Sequence, residues 1–135
     1  MSYPLIEIDG IDEEVVRIFR KAGIRTTAKL LEAAKDLKGR KALAAKTGFS
    51  EQSLLRWANK VDRRRIKGIG EEYAQLLQAA GVDTVRELKH RNAQRLYKAM
   101  ADANEKRRLV RVMPSEKVVA RWIEHAKKLP LKISY

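Results

Sequence analysis

The residues best suited to chemistry in this chain are glycines and cations. Gly68-Ile69-Gly70 sets one apolar residue between two glycines, with helical patterns on either side. Glycines let a backbone turn tightly and leave its N–H groups uncovered at the start of the next helix. Those N–H groups and the positive helix end make a seat for a phosphate, while the apolar residue plugs the space between the helices. Gly10-Ile11-Asp12 and Gly48-Phe49-Ser50 follow the same form, and Met113-Pro114-Ser115 fills a fourth such place without the glycine. Beside the third hairpin, Lys60, Arg63, Arg64, Arg65 and Lys67 put five cations in eight residues, with Asp62 the only acid. Lys106, Arg107, Arg108 and Arg111 put four in six with none. Dense runs of one sign repel themselves unless a polyanion lies against them. The expected phosphate contacts are therefore Lys46, Gly48, Arg63, Arg64, Arg65, Lys67, Gly68, Ile69, Gly70, Lys106, Arg107, Arg108 and Arg111.

Carboxylates qualify the pattern. Glu71 and Glu72 follow the third hairpin directly; they suit the helix dipole and repel an incoming phosphate. Asp9, Asp12, Glu13 and Glu14 crowd the first hairpin, which reads as a connector. The second has Lys41, Lys46 and Arg56 nearby and no acid before Glu51. Trp57 and Trp122 stand at matching places in a repeat, which favours core anchors over base-stacking platforms. Tyr73 and Tyr97 read as packing residues. His90 and His125 have no partners at metal-ligand spacing, and no metal or cofactor is expected. No Ser/His/Asp set or nucleotide loop can be assembled, and the chain has no cysteine, so no catalytic residue is assigned.

These groups must be positioned by a short chain. It has 135 residues, enough for one compact domain or two small fused ones, and 44% of them are hydrophobic. The longest uncharged stretch, Tyr73 to Val82, is ten residues, too short for a membrane span. The start Met1-Ser2-Tyr3-Pro4 lacks the features of a signal peptide, so a cytoplasmic address is expected, on the nucleoid if DNA is bound. The net charge is +13. Residues 1–16 carry −5, residues 1–62 carry +3 and residues 63–135 carry +10, which makes the second half the one expected to face a polyanion.

An internal repeat divides the chain at the same place. Residues 8–31 recur as 66–89 with nine identities in 24 positions, 58 apart. Ser50-Glu51 and Arg56-Trp57 recur as Ser115-Glu116 and Arg121-Trp122, 65 apart, so the second copy holds seven extra residues. Units of 1–62 and 63–135 follow, joined at Lys60–Lys67, with a second linker at Glu105–Arg111 inside the inserted region. Each unit reads as short helices between glycine-marked turns. Asp12–Ala22 has a helical stripe that Gly23 ends, and Thr26-Thr27 caps a helix whose inner face carries Leu30, Leu31, Ala34 and Leu37. A short helix falls near Arg40–Lys46, and Ser50 and Ser115 cap the helices that bear the tryptophans. No period-2 strand is seen. The expected fold is all-α, with about 8–10 short helices.

The hairpin pattern is similar to that of the tandem helix-hairpin-helix superfamily. Leu54-Leu55-Arg56-Trp57, Arg65 through Ala74 and Ala80 through Leu88 resemble most a bacterial family classified as a domain of unknown function, number 4332. The resemblance implies two fused helix-hairpin-helix pairs, a SAM-like bundle, and an expectation of DNA binding. The function expected is non-catalytic, sequence-nonspecific binding of nucleic acid, with double-stranded DNA favoured by the resemblance alone. The alternative is a protein-interaction module, with an acidic partner or with head-to-tail self-association of the −5 start against the basic half. Adsorption to a membrane surface lacks the amphipathic helix with exposed aromatics that it needs.

Overall fold

The computed structural model describes residues 3–135; Met1 and Ser2, which open the expected first unit, lie outside the described residues. Those residues form one 3-10 helix, Leu5–Glu7, and eight α-helices. The α-helices are α1 Glu13–Lys21, α2 Thr27–Ala34, α3 Leu37–Thr47, α4 Glu51–Arg63, α5 Glu71–Ala79, α6 Val85–Lys89, α7 Ala93–Arg107 and α8 Glu116–Lys128. Among the described residues there is no strand, only an isolated bridge between Pro4 and Thr26. The fold is all-α. None of these helices is long and apolar enough to cross a membrane.

The chain forms two compact units, residues up to Arg65 with Lys132–Tyr135, and Ile66–Leu131. The division expected after residue 62 thus lies three residues later, and the final segment joins the first unit. The reason for both differences is packing: Ile133 is buried in the first core, and Arg65 bonds back to Asp62 at the end of α4.

The first unit is built from capped helices around one apolar cluster. Asp12, Thr26, Asp36 and Ser50 cap α1 to α4, each side chain accepting an N–H three residues on. Gly23, at φ +87°, ends α1 in a six-to-one turn, with Ile24 N–H donating to Phe19 O at 2.8 Å. Phe19, Leu30, Ala34, Leu54 and Ala58 are wholly buried, and Phe49 packs against both Phe19 and Trp57. Leu37 does not extend α2 as its spacing suggests. The Asp36 carboxylate takes the Gly39 N–H at 2.7 Å and starts α3, leaving Leu37 46% exposed.

The second unit repeats the plan. Gly81, at φ +94°, ends α5 with Val82 N–H on Leu77 O at 2.9 Å, and Thr84, Asn92 and Ser115 cap α6 to α8. Leu76, Leu77, Leu96, Met100 and Val119 fill its core with Trp122. The helix starts match at offsets of 58, 58, 56 and 65 residues. These offsets locate the seven extra residues. α6 is three residues shorter than α2 and the connection after it one longer, α7 has 15 residues against 11 in α3, and the step from the left-handed cap to the serine cap grows from Gly48–Ser50 to Arg108–Ser115.

Candidate nucleic-acid interface

Each unit seats its first hairpin on its tryptophan. Gly10 and Gly68 have φ of +89° and +94°, and a Cβ added to either would meet the Nε1 of Trp57 or Trp122 at 3.2 or 3.1 Å. Ile11 and Ile69 are buried behind them as plugs. The two tryptophans are buried core anchors, as their matching positions suggest.

The hairpins differ in what they leave for a ligand. At the first, the Asp12 carboxylate accepts the Val15 N–H at 3.0 Å, and Asp9 engages Lys60 Nζ through its carbonyl at 2.9 Å. The Val15 amide and Lys60 are thus engaged internally, and the rim is acidic. At the second, Gly48 is a left-handed cap whose N–H donates to Ala44 O at 2.8 Å. Phe49 N–H donates to Thr47 Oγ1 and Ser53 N–H to Ser50 Oγ, so these tip amides are also spent, while Lys46 stands exposed on α3.

The third hairpin is different. Gly70 is the N-cap of α5 and has no side chain to offer, whereas the other seven α-helices of the described residues all carry a side-chain cap. The first-turn N–H groups of α5 therefore have no capping side chain to accept them. Lys67 and Gly68 are exposed, and Lys67 N–H donates to His125 Nδ1 at 3.4 Å, which ties the hairpin to α8. Glu72 is exposed and Glu71 half-buried at the same helix start.

The arginine run before it is turned to the protein. Arg63 is only 4% exposed, which overturns its expected place on a phosphate-facing surface. Arg64 reaches Glu7 at 3.5 Å and lies over the Tyr3 ring at 4.9 Å. Arg65 donates to the Asp62 carboxylate at 2.6 Å. Arg64 and Arg65 thus engage different neighbours within the first unit, and Arg63 is buried in it.

The second run is presented outward. Lys106, Arg107, Arg108 and Arg111 are all exposed, and none of them enters an ion pair within 4.0 Å among the described residues. The linker expected at Glu105–Arg111 is partly helix, because α7 runs on to Arg107 and stops only where Arg108 takes a left-handed conformation, φ +49°. The loop beyond is held firmly. Asn104 clamps Val110 from both sides, accepting its N–H at 2.9 Å and donating to its carbonyl at 3.1 Å. Tyr73, in the first turn of α5, donates its hydroxyl to Val112 O at 3.0 Å and rests on Trp122 at 5.5 Å. One tyrosine thus links the uncapped hairpin to the basic loop. Between α5 and α7, Ala79, Ala80, Ala99 and Ala103 line a shallow groove together with Lys106, Arg107 and one acid, Asp102.

Sequence reasoning missed Asn104 and the hydroxyl contact of Tyr73. Asn104 lies four residues before the left-handed cap, and only the fold tells an amide clamp there from a solvated polar residue. The Tyr73 ring does pack, as expected, with its hydroxyl turned to the loop.

The sequence from residue 9 to residue 129 matches the family described as a domain of unknown function, DUF4332. Comparison with curated proteins and with solved structures finds no match.

Proposed function

Because the chain belongs to the DUF4332 family, whose description names no activity, we propose its role from its chemistry: sequence-nonspecific, non-catalytic binding of nucleic acid, with duplex DNA as the substrate. The two units are read as helix-hairpin-helix pairs, of which the second makes the contact. The observation that carries the reading is the run Lys106, Arg107, Arg108 and Arg111, exposed and in no ion pair among the described residues, with the Tyr73–Val112 bond tying the uncapped start of α5 to the loop that carries Arg111. Amides and guanidinium groups so placed grip phosphate oxygens and read no base edges. Glu71 and Glu72 weaken this seat, so the loop supplies most of the attraction.

The test is fluorescence anisotropy with a labelled duplex of about 25 base pairs, at salt between about 50 and 200 mM. Binding should fall steeply with salt, and replacing Arg107, Arg108 and Arg111 with alanine should flatten the slope by about 0.9 for each phosphate left without its cation. Arg63→Ala should instead lower the melting temperature, since that side chain is buried. No binding at the lowest salt overturns the reading. A protein-interaction role is the second reading, and it rests on a separate observation, the Lys132–Tyr135 segment seated on the first unit.

A further inference from the structure

Four residues from the far end of the sequence complete the first unit. Ile133 is 8% exposed and packs in the first core. Main-chain bonds hold the residue after it: Ser134 N–H donates to Lys35 O at 2.8 Å, and Arg40 Nη2 donates to Ser134 O at 2.9 Å. Tyr135 Oη donates to Asn59 Oδ1 at 2.8 Å, and Lys132 Nζ pairs with Glu32 at 3.3 Å.

The receptor side is unusual in its arginine. Arg40 is 2% exposed, and its guanidinium donates to two main-chain carbonyls, Ala34 O at 3.0 Å and Ser134 O. A buried cation is costly unless its donors are met. One of its two acceptors belongs to the segment, so the site is built around an extended chain. Asn59, also buried, meets the tyrosine hydroxyl. Main-chain bonds with a pocket for one side chain are how proteins recognise extended peptides.

We propose that this groove of the first unit is a peptide-binding site, taking an extended segment with a β-branched aliphatic residue followed two positions on by tyrosine, and that its occupant in trans is the same segment of a second copy. Whatever holds Lys132–Tyr135 in one copy holds it equally from another, because the bonds are the same. The segment follows Pro130 and the exposed Leu131 in the chain and carries no helix of its own, so leaving its groove breaks only the bonds and packing of these four residues. Each copy carries +13, and that repulsion makes exchange between copies increase with salt.

The probe is a fluorescein-labelled peptide of residues 129–135. Titrated into the full chain carrying Ile133→Asp, which releases the native segment, it should bind with micromolar affinity. The unaltered chain should bind it about tenfold more weakly, because its own segment competes. Adding Arg40→Met to Ile133→Asp should cost about tenfold more. No binding to an Ile133→Asp chain of normal helix content by circular dichroism overturns the site, as does equal binding to both chains. A second measurement needs no released segment. The chain lacks cysteine, so donor and acceptor dyes can be placed on separate copies through Lys38→Cys and Leu131→Cys. Energy transfer between copies should rise with concentration and with salt, and should vanish with Tyr135→Ala. Peptide binding without such transfer overturns the second copy as occupant, and silence in both measurements overturns the proposal.

Discussion

Two glycines two positions apart take different backbone conformations, φ +94° at Gly68 and −92° at Gly70. Gly68→Ala meets both the left-handed strain and the Trp122 nitrogen, and should cost about 1–3 kcal/mol in chemical denaturation. Gly70 has open space around it and an N-cap conformation that serine adopts without strain. Gly70→Ser should gain a few tenths of a kcal/mol by capping α5. The same hydroxyl takes up an amide that a phosphate would use, so DNA affinity should fall by about threefold in anisotropy. A stabilised variant that binds DNA as before would show that these amides hold no phosphate. Asp62 supplies a residue-scale prediction of another kind. Burial pushes its carboxyl above the ordinary 3.8, against the opposing pull of the Arg65 hydrogen bond. The folded chain then holds that proton more tightly than the unfolded one. The stability traced to Asp62 is complete below 3.8 and is lost as pH rises through the raised folded value. Carbon-detected NMR should place its midpoint above 3.8, and Asp62→Asn should flatten stability against pH in that window. Glu32 runs the other way: hydrogen bonds from Lys35 and Lys132 lower its carboxyl, and its exposure keeps the effect small.

At the scale of elements, the connection from α7 to α8 differs most from its counterpart in the first unit. Gly48 and Arg108 hold the same left-handed position after equivalent helices, and only one of them is a glycine. Arg108→Gly should therefore raise the melting temperature, by about 1 kcal/mol of stability, while removing one cation from the proposed contact. The salt slope of DNA binding should fall by about 0.9, and a melting temperature that drops would show the arginine side chain to be a structural strut. The same elements show how far local chemistry is legible in the sequence. Ser50 and Ser115 mark the starts of α4 and α8, and Gly23 and Gly81 mark the ends of α1 and α5, because caps and left-handed stops depend on neighbouring residues alone. Arg108 is opaque because arginine gives no sign of a left-handed bend. Leu37 reads as part of α2 because its spacing extends that stripe, and only the Asp36 cap breaks it. The Arg63–Arg65 run is dense in sequence, yet α4 ends at Arg63 and the chain turns at Arg64 and Arg65, so the three do not share one outward face.

At the scale of the molecule, the charge asymmetry dissolves. Dividing the chain at residue 62 gives +3 and +10, but the compact units hold 16 basic and 9 acidic side chains, or +7, and 14 and 8, or +6. Arg63–Arg65 and Lys132 belong with the first unit, and that transfer evens the two. Both units therefore attract polyanions at long range, and local geometry separates them: cations spent on internal partners at the end of α4, and cations left outward after α7. The repeat shows the same division of labour, with shared caps and tryptophan seats and with lengthened α7 and its loop confined to the second unit.

The order in which the chain leaves the ribosome gives Lys132–Tyr135 a further meaning. The first unit emerges first, but its groove stays unfilled until all of Ile66–Leu131 has been translated. The later unit is thus finished earlier, and the earlier one waits with Arg40 and Asn59 uncovered for the time needed to add some seventy residues, a delay of several seconds at ordinary translation rates. A polysome carrying many such nascent chains holds open grooves and newly made segments side by side.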